Sequence, residues 1–380
     1  MNHHVPAAAA QPKFRLLDEG SRCVVVAFVA SRLLIVGVIL LSRTIFVPGQ
    51  FSQGGGLLSV LTHWDGGWYL QIAEQGYTFT PGEQSSIGFF PVYPLLIWLL
   101  SALFIDPPIA AVVISNACLL GAGLLLNALV RLEYRDGAIS CAAVTLLMFS
   151  PVSFFFSSAY SESTFLLLSI GTFLAARRGN WLVACLCGGA LAATRNVGVI
   201  IAVPLFVEYI RQVWKPGTGL KPLLTPRILL FGFIPLGLAL FLLFNYIKFG
   251  DAFAYVKATA VWGRYFVPPW RTLANAQGLP PFYLWLFGGT LLAAVLAWIG
   301  GFYLRVRTSY MVWAGLLLAV YLCGNSLEAM PRYLSVLFPV FVVLGVVAVR
   351  FGWSYELIFA CSTVLLTVCT ILSANGYWMT

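Results

Sequence analysis

Charge is what this sequence lacks. Of its 380 residues only 9% are charged and 60% are hydrophobic. A soluble domain carries roughly 25% charged residues, so a water-soluble globule is excluded. Histidine is scarce, at positions 3, 4 and 63 only, which excludes a Cys/His metal cluster of the zinc type. The eight cysteines are Cys23, Cys118, Cys141, Cys185, Cys187, Cys323, Cys361 and Cys369. They lie mostly inside apolar runs, Cys185 and Cys187 are too close for an ordinary bridge, and all eight read as small buried hydrophobes. There is no P-loop and no dinucleotide fingerprint, which argues against a nucleotide sugar as substrate. There is no clear cleavable signal, and the first apolar run reads as an anchor. No internal repeat is visible, which speaks against a transporter built from repeats.

What is present is a succession of apolar runs near the roughly 20 residues that cross a bilayer. They are continuous, not alternating, so helices satisfy the backbone in lipid better than a barrel does. The expected fold class is an all-α polytopic membrane protein with about 10 to 12 helical segments. The net charge of +9 does not point to nucleic acid. Basic residues gather at 13–15, 177–178, 211–227 and 305–307, the pattern of cytoplasmic turns under the positive-inside rule. Residues 1–22 read as a cytoplasmic lead, 23–373 as one transmembrane domain and 374–380 as a C-terminal tail. Within the domain, 43–87 is a first external loop and 248–281 a second.

The passes do not alternate simply. If 88–104 crosses and 181–207 is one span, the turns at Arg131 and Arg177 fall outside. If 88–104 fails to cross and 181–207 breaks at Arg195, every basic turn falls inside. The second arrangement obeys positive-inside better and is favoured. It also sends Asp65, Glu162, Arg195 and Arg332 to the external side.

The densest polar and aromatic stretch is 62–77, Thr-His-Trp-Asp-Gly-Gly-Trp-Tyr-Leu-Gln-Ile-Ala-Glu-Gln-Gly-Tyr. Asp65 is expected at the start of a short interfacial helix, its carboxylate capping the Trp68 or Tyr69 N–H. Asp65 and Glu74 are nine residues apart, which puts them on opposite faces of one straight helix. Trp64, Trp68, Tyr69 and Tyr77 suit either an interfacial anchor or a sugar-stacking surface. The segment Phe89-Phe90-Pro91-Val92-Tyr93-Pro94 would wall a pocket from below.

A charge in apolar surroundings is costly unless paired or facing a wet cavity. Glu162 and Arg195 meet that description, either as a helix-to-helix ion pair or as the lining of a pocket. A forked guanidinium suits a lipid phosphate, so Arg195 and, second, Arg332 are donor-phosphate candidates. Arg32, inside the first span, either snorkels or faces the protein interior. Lys257, Arg264 and Arg271 read as loop charges. Asp65 is the best general base: sugar transfer needs a carboxylate to take the acceptor's proton, while a phosphate leaving group needs only positive charge. Glu74 and Glu162 would orient the acceptor or tune Asp65, and His63 would hydrogen-bond substrate.

With those residues in view, the sequence resembles the PIG-V-type mannosyltransferases, relatives of GPI mannosyltransferase II within the GT-C superfamily. The resemblance rests on 63–77, on Gly88-Phe89-Phe90-Pro91-Val92-Tyr93-Pro94, on 150–163 with its Ser-Ala-Tyr-Ser-Glu-Ser at 158–163, on Ala193-Thr194-Arg195-Asn196-Val197-Gly198 and on Pro331-Arg332-Tyr333. These run in the family's order across about 24–350. The resemblance implies a GT-C-like glycosyltransferase fold. It implies an inverting transfer of mannose from a polyprenyl-phosphate carrier to a glycolipid, glycan or protein acceptor outside the cytoplasmic membrane. Asp65 would be the catalytic base. His63, Trp64, Glu74, Tyr160 and Glu162 would bind the acceptor or tune the base, and Arg195 and Arg332 would hold the donor phosphate. No metal ligands are assigned, although one loop aspartate in place of an Asp-x-Asp pair leaves a divalent metal open. The short chain and small external loops look bacterial, so the eukaryotic acceptor is not implied. Another sugar on the same carrier, or a transporter with a polar cavity, are the alternative readings.

Overall fold

The computed structural model of the protein describes residues 18–46, 55–214, 223 and 225–379. The lead up to residue 17, with Lys13 and Arg15, lies outside the described residues, as does Gly54. Among the described residues there are seventeen α-helices and no strand. They are α1 Glu19–Ile45, α2 Leu57–Leu61, α3 Asp65–Gln75, α4 Val92–Ser101, α5 Pro107–Glu133 and α6 Gly137–Met148. Next come α7 Glu162–Arg177, α8 Trp181–Ala192, α9 Ala202–Val213, α10 Phe233–Phe249, α11 Ala254–Val261 and α12 Pro269–Asn275. The chain closes with α13 Pro281–Tyr303, α14 Thr308–Leu322, α15 Met330–Ser335, α16 Phe338–Arg350 and α17 Gly352–Ala374.

Local chemistry sets the ends. Asp18 accepts from the Ser21 N–H at 2.8 Å at the start of α1, and Asp136 and Asn180 do the same for α6 and α8, each satisfying a donor the helix cannot. Pro107 and Pro108 open α5, where a missing N–H costs nothing. Gly250 stops α10 in the left-handed region, φ 72°.

Ion pairs fix which helix ends share a level. Arg131 holds Asp18 at 2.5 Å, so α1 starts where α5 ends. Arg177 reaches Glu133 at 2.7 Å, and Arg307 reaches Glu208 at 2.6 Å and Glu133 at 3.5 Å. That quartet, built around the buried Glu208, ties the ends of α5, α7 and α9 to the start of α14. Asp65, Glu162, Arg195 and Arg332 are joined at the other end. Following the chain between these fixed points, α1, α5, α6, α7, α8, α9, α10, α13, α14, α16 and α17 each run from one end to the other. α4 does not. Its ten residues span about 15 Å, and the Tyr93 hydroxyl donates to Ala111 O at 3.0 Å near the start of α5. Thus 88–104 does not run the length of the bundle, the 181–207 run breaks at Arg195, and the turns at Arg131, Arg177, Arg211 and Arg307 all lie at the quartet's end.

Among the described residues six helical segments are long and apolar enough to cross a membrane, α9 and α10 together with the 3-10 turns that lead into them; α6, α8, α14 and α16 are shorter. Outward faces are apolar, with Leu33 68%, Leu229 78% and Trp285 79% exposed, as a lipid solvent allows. Two connections between helices are extended at the Asp65 end. Between α6 and α7 the chain unwinds over 149–161, with one 3-10 turn at Ser153–Phe156. Between α8 and α9 it opens at Arg195, which is extended, φ −156°. One expectation for the cysteines is corrected: Cys23 and Cys141 form a disulfide between α1 and α6. Their 118-residue separation hides the pairing that helix packing creates.

Candidate active site

Four charged side chains from four separate segments form a chain of alternating sign. Arg332 Nη1 donates to Asp65 Oδ2 at 2.6 Å. Arg332 Nε and Arg195 Nη2 both donate to Glu162 Oε1. The order is Asp65–Arg332–Glu162–Arg195, with two negative and two positive charges. Glu162 is fully buried, while the Asp65 side chain is 31% exposed. Glu162 is thus the internal counter-ion of two arginines, and Asp65 is the more exposed of the two carboxylates.

Each member is aimed by local structure. Asp65 opens α3, but it does not cap it; the cap position is Trp64, with no side-chain cap bond, and the carboxylate turns to Arg332 instead. The expected cap is thus displaced, because a charged partner outcompetes a backbone N–H. Trp64 itself has φ 57°, a strained conformation for a bulky residue of the kind found at functional sites. Ala329, just before α15 and Arg332, also has φ 62°. Glu162 opens α7 directly after the unwound 149–161 strap.

The strap and α3 are pressed together. The Ala159 N–H donates to Leu61 O at 2.7 Å. A side chain at Gly66 would begin 3.2 Å from Ala159 Cβ, a tight contact that would ask the strap to give by a few tenths of an ångström. The Tyr69 hydroxyl donates to Ser161 Oγ at 2.9 Å, and Arg195 Nε donates to the same oxygen at 3.2 Å. Burial pushes the Tyr69 phenol up to about 12, so it stays a neutral donor. Arg332 rests 4.5 Å from the Tyr160 ring centroid and 5.6 Å from that of Phe155, a cation–π platform. The Tyr160 hydroxyl donates to His63 O at 3.3 Å.

The structure brings together Asp65, Tyr160, Glu162, Arg195 and Arg332 of the expected set. His63 contributes its backbone carbonyl. Its imidazole is half-buried, with burial first and then the Arg43 charge holding it below its ordinary pKa. Trp64 packs edge-on against Trp378 at 4.9 Å, so the C-terminal tail belongs to the wall of the site. Glu74 is exposed near the far end of α3, outside the ion chain. Trp68 stacks on Phe89 and meets Trp262 edge-on, and Tyr77 OH bonds Phe89 O. Lys257 pairs with Asp251 at 2.5 Å, and Arg264 lies 4.0 Å from Glu328. Tyr69 and Ser161 stood within the sequence motifs but were given no bonding role, and Phe155 was given none; a serine or phenylalanine in an apolar run gives no signal of its partner.

Two apolar grooves flank the ion chain. One, about 520 Å³, is lined by Tyr77, Val92, Ala193, Phe241 and Phe244 and so passes two residues from Arg195. The other, about 600 Å³, is lined by Val152, Trp285, Pro331, Leu334 and Phe341 and passes beside Arg332. Among the described residues no three His, Cys, Asp or Glu gather as metal ligands, and both site carboxylates are engaged by guanidinium.

Comparison with known proteins bears on this geometry. Residues 39–257 match the family model described as Mannosyltransferase (PIG-V). GPI mannosyltransferase pigv-1 of Caenorhabditis elegans is 28% identical over 199 residues, 44% of this chain and 28% of that protein. Human GPI alpha-1,6-mannosyltransferase 2 is 28% identical over 197 residues, 47% of this chain and 39% of that protein. These alignments span well under half of each relative's own length. In fold, the chain superposes on ArnT from Cupriavidus metallidurans, solved with undecaprenyl phosphate, with a TM-score of 0.55. The identity is 12%, covering 93% of this chain and 74% of that one. It also superposes on the Archaeoglobus fulgidus oligosaccharyltransferase tethered to an acceptor peptide, with a TM-score of 0.50, 14% identity and coverage of 93% and 55%. Both neighbours share the GT-C glycosyltransferase fold.

Proposed function

Since the chain belongs to the PIG-V mannosyltransferase family, we propose that it moves a mannosyl group from a polyprenyl-phosphate carrier to an acceptor hydroxyl, with inversion. The observation that carries this reading is the half-open Asp65 carboxylate tied through Arg332 to the buried Glu162 and to Arg195. The acceptor O–H gives its proton to Asp65 as its oxygen bonds to the sugar's C1. The C1–O bond to the phosphate breaks, and its electron pair leaves with the phosphate. A phosphodiester of charge −1 thus becomes a monoester of charge −2. At the same time, protonation of Asp65 turns a neutral quartet into one of net +1. The site gains positive charge as the leaving group gains negative charge, which is the differential stabilisation that catalysis needs. Tyr160, Trp64 and the His63 carbonyl shape the acceptor side, and Arg195 and Arg332 face the phosphate.

The orientation follows from charge. The Glu133 end carries the basic turns, so positive-inside places it in the cytoplasm and Asp65 outside. The proposed setting is a bacterial cytoplasmic membrane, with a lipid-linked sugar as donor and a glycolipid, glycan or protein as acceptor. The test is transfer from a polyprenyl-phosphate mannose in reconstituted vesicles. Asp65→Asn should lower turnover about 10³-fold while the protein still inserts and melts normally. Undiminished turnover would remove Asp65 as base. Turnover of the glucosyl carrier and not the mannosyl one would remove mannose as the sugar.

A further inference from the structure

Arg32 lies in α1, outside the ion chain, and its partners differ in kind from those of the site arginines. Among the described residues it has no carboxylate partner. All of its donor nitrogens nonetheless bond to neutral oxygens. Nη2 donates to Met148 O at 3.0 Å and Ser153 Oγ at 2.5 Å. Nη1 donates to Ser153 O at 3.1 Å and Ser157 Oγ at 2.9 Å. Nε donates to Ser31 Oγ at 3.3 Å. Ser157 in turn donates to Asn116 Oδ1 of α5 at 2.9 Å.

These acceptors have one thing in common. Apart from Ser31 they belong to the place where the chain leaves α6 and unwinds toward Glu162. Met148 is the last residue of α6, and its carbonyl has no helical N–H to accept from. The negative end of a helix dipole favours a cation there. Backbone exposed by a break is tolerated in lipid only where protein groups satisfy it. A buried charge without a carboxylate partner is rare in a membrane segment and marks function.

From this clamp a short path leads to the proposed chemistry. Arg32 grips Ser153 and Ser157, and Phe155 between them forms, with Tyr160, the platform under Arg332. Arg332 holds Asp65. We propose that Arg32 is a positioning residue: by clamping the 148–157 stretch it fixes the aromatic platform, and through it the Arg332–Asp65 pair. Its consequence for turnover rests on the transferase reading above; the clamp itself does not.

Arg32→Lys keeps the charge but not the fork, and Arg32→Met removes both. Full-length variants in lipid nanodiscs would be followed by amide hydrogen exchange and by mannosyl transfer. Both variants should exchange at least about tenfold faster over 149–161 and over α15, with the Glu133 end unchanged. Turnover should fall about ten- to a hundredfold, with donor KM held within about twofold. Unchanged exchange in α15 would overturn the proposal, as would wild-type kcat in both variants. A wild-type chain that transferred no sugar would sink the transferase reading alone, because the exchange measurement reads the clamp directly.

Discussion

Arg332 Nη1 stands 2.6 Å from Asp65 Oδ2, across 267 residues of sequence. The same guanidinium bonds Glu162 through Nε, so one side chain ties the partly exposed Asp65 carboxylate, the proposed base, to the buried Glu162. Replacing it by lysine keeps one charge but cannot serve both carboxylates in that geometry. Arg332→Lys should lower kcat/KM for the donor about 10²-fold. In a double-mutant cycle with Asp65→Asn, the two losses should be strongly non-additive. Additive losses would separate the two residues functionally.

Glu162→Gln should be a folding variant before it is a catalytic one. Glu162 is fully exchanged for a neutral amide while two buried guanidiniums remain. Breaking a buried ion network by removing one partner costs about 3–5 kcal/mol. A markedly lower melting temperature in detergent is expected, and a wild-type melt would show that the arginines find other partners.

The quartet at the far end predicts a loss of stability alone. Glu208 is fully buried and accepts from Arg307, Gln212 and Ser309. Glu208→Ala should cost about 3 kcal/mol or more in stability. The surviving folded protein should keep the donor KM of the wild type, measured by initial rates at a temperature below the melt.

His63 gives a pH dependence with a definite sign. Its imidazole is held below its ordinary value near 6.5, by burial first and then by Arg43. Above that value both folded and unfolded forms are neutral, and there is no effect. As the pH falls through about 6.5, the unfolded chain takes up a proton that the folded one resists, so stability declines. Thermal melts between pH 8 and pH 5 should show this decline, and His63→Gln should flatten it.

Orientation can be read by labelling. A cysteine at Glu74, exposed on α3, should react with an impermeant maleimide in intact spheroplasts. One at Arg135, in the turn between α5 and α6, should react only after permeabilisation. The reverse pattern would place Asp65 in the cytoplasm and end the external reading.

Much of the site was legible because its residues are conspicuous against an apolar background. Asp65, Glu162, Arg195 and Arg332 stood out as charges where charge is costly. Glu74 stood out equally and belongs elsewhere, because a charge at an interfacial helix end is simply solvated. Arg32 was visible as an intramembrane cation, but its partners are carbonyls and serine hydroxyls, which carry no mark in sequence. The choice between two pass arrangements turned on α4, whose ten residues lie beside α5 and do not run the length of the bundle.

Sequence alone determined that this is a helical membrane protein, since apolar content and run length are local, additive properties of the chain. It also determined which few side chains would be hard to leave unpaired. The tertiary structure decided who pairs with whom: Asp65 with Arg332, one Glu162 oxygen between two arginines, and Glu133 with Arg177. Those partners lie up to 267 residues apart. An ion pair depends on distance in space to within an ångström or so, and only the packing of helices end to end sets that distance.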